Sequence, residues 1–173
     1  VSRSERVLSI SLSEAALFIA FVFTLVPFYH GALRHLDDAY LENPNPHIKD
    51  GALVLDVLLL FAHGLVFVVL ALLLDAPSQF AWLLVGLIAV DVIWGVFVHF
   101  GPSTQSPAGA EGKWALINLI FICIAGGALW VMDVGIAADT DEQKLAPVIL
   151  IGALLRTLAD YMLCWRFYFP PGE

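Results

Sequence analysis

Charge is what this chain has least of. Only 14% of its 173 residues are Asp, Glu, Lys or Arg, against roughly 25% in an average soluble domain. Lys and Arg number 8 and Asp and Glu 16, a formal net charge of −8. So few cations exclude a nucleic-acid partner, whose phosphates need clustered Lys and Arg. Cysteine is scarce as well. Cys123 and Cys164 both lie in apolar stretches, so neither a disulfide framework nor a CxxC or Cys/His zinc pattern is available. Asp139-Thr140-Asp141-Glu142 lacks the glycine and ligand spacing of an EF-hand and reads as a solvated loop. There is no internal repeat, no separate soluble domain and no nucleophile motif.

What is present is hydrocarbon. Residues of the apolar set make up 60% of the chain, gathered into runs long enough for the ~20 residues that a membrane helix needs. The reading is an all-α integral membrane protein, one polytopic domain over 1–173. It forms a compact bundle of five spans joined by short loops. The spans run from about Ile10 to Tyr29, Gly51 to Leu74, Phe80 to Phe100, Trp114 to Val134 and Leu145 to Phe169. A signal peptide is set aside for the first run, which is long and has no small-x-small cleavage site after it. Leu36 to Asp50, with Glu42-Asn43-Pro44-Asn45-Pro46, reads as a loop, as does Gly101 to Lys113. Asp75-Ala76-Pro77-Ser78 is tight enough to make spans 2 and 3 an antiparallel hairpin. Pro170-Pro171 stops the last helix. Basic residues are divided between the two sides, and Arg3 and Arg6 before the first span favour a cytoplasmic N-terminus. The expected location is a bacterial inner membrane.

The chemistry lies in the ionisable residues within these runs. Pro27-Phe28-Tyr29-His30-Gly31-Ala32-Leu33-Arg34-His35-Leu36-Asp37-Asp38 is the densest group. If the helix continues past Pro27, which should kink it, His30, Arg34 and Asp37 or Asp38 share one face. Call the side carrying the 36–50 and 101–113 loops the second face. His30 and His99 then lie at its boundary, Asp56 about one turn inside, and His63, Asp91 and Asp160 roughly 12–16 Å deep, with Arg156 deeper still. Asp56 and His63 are i, i+7. Asp91, Gly95 and His99 are i, i+4, i+8, as are Arg156, Asp160 and Cys164.

Buried charge needs a partner or water, so Arg156 is expected to pair with Asp160 and, across helices, with Asp91. The inference is a polar cavity entered from the second face and lined by Asp56, His63, Asp91, Arg156 and Asp160. His30, Arg34, His35, Asp37, Asp38 and His99 form a polar cluster at its mouth. Bland readings stand beside this one: Arg156/Asp160 as a packing ion pair, Asp56 and His99 as snorkelling groups, His63 and Asn118 as structural hydrogen-bonders. Gly95, Gly126 and Gly127 read as points of close helix approach.

The leading functional expectation is a homo-oligomeric channel or pore-forming subunit. Its acidic cavity would favour cations and be open to gating by a small ligand. The bilayer is its partner and no cofactor is expected. The competing expectations are a metal or haem redox protein and an intramembrane enzyme using the His/Asp set. For the redox protein the ligands would be His30 with His99, or His30, His35, Asp37 and Asp38.

Overall fold

The computed structural model describes residues 10–42, 50–100, 110–133 and 144–170. Helix α1 covers Leu12–Asp37 and opens on a capping box. Glu14 N–H donates to Ser11 Oγ at 3.1 Å, and Ser11 N–H donates back to Glu14 Oε2 at 2.7 Å. The first span does not end at Tyr29, and Leu36 does not begin a loop: α1 runs on to Asp37 and continues as a π-helical turn, Asp38–Glu42.

The helix survives Pro27 because the damage is confined to one carbonyl. Proline has no N–H to give Phe23 O one turn back. Thr157 of another helix supplies the missing donor, its hydroxyl lying 2.5 Å from that carbonyl.

α2 is Asp50–Leu72 and α3 is Pro77–Phe100. A short turn joins them, with Pro77 at the first helical position, where a missing N–H costs nothing. α4, Ala110–Asp133, starts four residues before the expected Trp114 and so takes Glu111 out of the supposed loop. α5 is Leu145–Leu163. It breaks at Cys164 rather than running to Phe169, and a short α6, Trp165–Tyr168, follows. The break lets Phe167 and Tyr168 turn inward and become buried.

There is no strand among the described residues. Among these residues five helical segments, Leu12–Leu41, Gly51–Leu72, Pro77–Phe100, Ala110–Val131 and Leu145–Leu163, are long and apolar enough to cross a membrane. Lys49, most of the 101–113 loop and the 139–142 acidic stretch lie outside the described residues.

α3 packs most extensively on α4, and α1 on α5; α2 rests more lightly on α1 and α3. Gly95 permits the first contact, since a Cβ there would sit 3.2 Å from the Glu111 carbonyl oxygen. Among the described residues Gly127 plays no such part, because a Cβ on it would meet nothing within 4 Å.

Polarity is segregated along the bundle. One end is a dry core of Leu17, Ala20, Phe67, Phe80, Leu84 and Ala146 with their neighbours. The other end, built from the C-terminal halves of α1, α3 and α5 and the N-terminal halves of α2 and α4, holds the buried His35, Asp56, Glu111, Asn118, Arg156 and Asp160. The outward faces are apolar: Leu55, Leu58, Phe61 and Leu65 of α2 are all exposed.

Candidate functional site

The end of α1 sends its polar side chains in two directions. His30 and Arg34 lean toward α5 and α6. His30 Nδ1 lies 3.1 Å from the Tyr161 hydroxyl, and its ring packs on Tyr168 at 4.7 Å between centroids. Arg34 Nε donates to the Phe167 carbonyl at 3.2 Å, and its Nη1 pairs with Asp37 Oδ2 at 3.0 Å. Together they hold the broken tail against α1. Gly31 makes room, since a Cβ there would stand 3.1 Å from the Tyr168 hydroxyl and 3.3 Å from the Trp114 ring.

His35 points the other way, between two carboxylates. Its Nδ1 lies 3.1 Å from Glu111 Oε1 and its Nε2 3.5 Å from Asp56 Oδ2. Acceptors at both nitrogens favour the imidazolium, the one form that donates at both. Asp56 is further held by the Tyr40 hydroxyl at 2.6 Å and by Trp94 Nε1 at 3.0 Å. Both acids and the histidine are buried, so this is a hydrogen-bonded cluster tying α1, α2, α3 and α4 together.

Below the cluster lies a cavity with about 60 Å³ of space for the centres of water molecules. That holds a few waters, since one needs roughly 10–15 Å³ by this measure. His35, Asp56, His63, Asp91, Arg156 and Asp160 all line it.

Arg156 does not meet its carboxylates directly, as the sequence reading expected. Asn118 stands between it and Asp91. Arg156 Nε donates to Asn118 Oδ1 at 2.6 Å, and Asn118 Nδ2 donates to Asp91 Oδ2. A side-chain amide offers an acceptor at one end and a donor at the other, so it can relay between cation and anion. Asp91 and Asp160 both stay within Coulombic reach of the guanidinium. Asp160 Oδ2 accepts from the Tyr168 hydroxyl at 2.9 Å.

His63 stacks on Phe28 at 4.7 Å, and its Nδ1 sits 2.7 Å from the Leu59 carbonyl. A carbonyl only accepts, so Nδ1 carries the hydrogen and Nε2 of the neutral ring is an acceptor. Among the described residues His63 Nε2 and Arg156 Nη1, both on residues lining this cavity, have no hydrogen-bond partner. Unmatched burial costs about 1–3 kcal/mol per group, and a water in the cavity would offset it.

Just outside the span of α5, burial next to Asp160 pushes the Cys164 thiol up to about 12. The same two causes push the Tyr168 phenol up. Cys164 is therefore an inert thiol and Tyr168 a fixed donor.

Several expected groupings do not form. His99 packs on Phe100 and against Gly112, whereas His30 belongs to the α5–α6 tail. The two thus have different neighbours. His30, His35 and Asp37 go to three different sets of partners, which dissolves the proposed metal cluster with Asp38. Among the described residues no group of three or more His, Cys, Asp or Glu can hold a metal ion. Sequence reasoning missed Glu111, Tyr40, Trp94, Trp114 and Tyr168. Glu111, Trp114 and Asn118 fall at i, i+3 and i+7, a helical stripe that would have revealed the early start of α4. The chain matches no family model, no curated protein and no solved structure.

Proposed function

We propose that this chain is an integral membrane protein, a channel subunit whose conducted species is the proton. The carrying observation is a water-sized cavity bounded by His35, Asp56, His63, Asp91, Arg156 and Asp160 inside a single chain. Water and titratable side chains pass protons, while a space for a few waters beside a fixed guanidinium opposes a hydrated metal cation. The route enters from the second face at His35 and reaches His63, whose free acceptor nitrogen receives a proton from cavity water.

Beyond His63 the route meets an aromatic plug. Phe67 contacts the rings of Phe21, Phe28 and Tyr29 at 5.3–6.0 Å between centroids and is 3% exposed. Such a constriction gates by excluding water. Homo-oligomers, a bacterial inner membrane and gating by a small ligand fit this reading, with one pathway in each chain.

The experiment is proton flux into proteoliposomes, read with an interior pH dye. His63→Phe is expected to lower flux at least about tenfold, a barrier increase of ~1.4 kcal/mol. Phe67→Ser is expected to raise resting flux. Equal flux from all three proteins, or none from any, would sink the proposal.

A further inference from the structure

A second cavity lies on the far side of Arg156. It is a cleft of about 320 Å³ between α3, α4 and α5, and every described residue lining it is apolar except Arg156. Its rim includes Ile120, Ile124, Val148 and Leu155, all exposed, so it opens on the outer surface of the bundle. Arg156 is 8% exposed and its Nη1 has no hydrogen-bond partner among the described residues. One buried cation thus forms the wall between a polar cavity and an apolar cleft, with a hydrogen-bond donor to spare.

We propose that the cleft binds a neutral membrane-dissolved lipid with a carbonyl head, of the quinone class, whose carbonyl oxygen accepts from Arg156. Three observations choose this chemistry. The walls fit a hydrocarbon chain. The spare group is a donor, so the head must offer an acceptor. The local charge disfavours an anion, because Asp91 and Asp160 already lie within Coulombic reach of the guanidinium, and a carboxylate head would have to compete with them for it.

Depth excludes a phospholipid. Arg156 is about seven residues from the end of α5 at Leu163, roughly 10 Å at ~1.5 Å per residue. A charged headgroup anchored at the interface does not reach that far in, whereas a neutral quinone does. The inference rests on the membrane placement and on the buried position of Arg156, and not on proton conduction.

The test is saturable binding of a decyl-tailed benzoquinone to the full chain in nanodiscs. Comparison ligands are the matching decyl arene without carbonyls, and palmitate. Proton flux is measured in parallel. The quinone is expected to bind at least about tenfold tighter than either comparison ligand, a difference of ~1.4 kcal/mol.

Ala125→Phe, which narrows the cleft from α4 without touching the polar cavity, should weaken quinone binding by a similar factor in a protein that still folds and passes protons. Arg156→Gln should reduce the preference for the quinone over the arene. Binding with no flux in the wild type would support the cleft and overturn the conduction reading alone. Equal binding of quinone and arene, tighter binding of palmitate, or unchanged binding in a folded Ala125→Phe protein would each overturn the inference.

Discussion

Thr157 shows how one side chain can allow an otherwise costly residue in a helix. Its hydroxyl occupies the place of the N–H that Pro27 lacks, 2.5 Å from Phe23 O. Thr157→Val keeps the shape and removes the donor. It should lower thermal stability by about 1–3 kcal/mol, the cost of an unsatisfied buried carbonyl, and a double change with Pro27→Ala should restore most of it. Thermal unfolding in one detergent checks both; an unaltered single variant would contradict the assignment.

Cys164 gives a second residue-scale prediction, with its sign fixed by its environment. The folded thiol is raised from 9.0 to about 12 by burial beside Asp160. Unfolded chains therefore lose this proton first as pH rises. The stabilisation is whole below pH 9, falls as pH climbs, and is lost on passing about 12. At pH 8 Cys164 should resist a maleimide until the protein is denatured, as mass spectrometry of the labelled peptides would show. Rapid labelling of folded protein would refute it.

Legibility in the sequence followed the strength of the local signal. Apolar run length gave the five long helices, and helical spacing put Asp56, His63, Asp91, Arg156 and Asp160 around one cavity, since i, i+4 and i, i+7 fix a face whatever the packing. Partners across helices were another matter. Charge alone pointed Arg156 at Asp160 and Asp91, but spacing could not show that the Asn118 amide would relay between Arg156 and Asp91.

At the scale of elements, the most consequential surprise is the turn at Cys164. It brings Tyr168 back to Asp160, His30 and Gly31. Nothing in the local pattern foretells it, because the aromatic tail of Trp165, Phe167, Tyr168 and Phe169 reads as a continuation of the span. Its direction is set by α1, through the Arg34 bond to the Phe167 carbonyl and the gap left by Gly31. Gly31→Leu should push α6 away, freeing Asp160 from Tyr168 and exposing both. The check is faster proteolysis at residues 165–170 and a stability loss of about 1–3 kcal/mol, as for other overpacked contacts. A fold and cleavage pattern like the wild type would show that the tail is held some other way.

Taken whole, the molecule is a bundle with one wet end and one dry end. The His35 cluster stands at the wet end, the small polar cavity behind it, and the Phe67 plug at the start of the dry core. On the proposed reading that asymmetry suits a proton path with one gate, running within each copy of the chain even if copies assemble.

Selectivity is the central claim, and reversal potential across a planar bilayer tests it most directly. With equal salt and a pH difference of one unit, the account predicts a reversal potential near 59 mV, the value for a tenfold gradient of a singly charged ion, and no shift when potassium replaces sodium on one side. A reversal potential that ignores pH and follows the metal cation would contradict it.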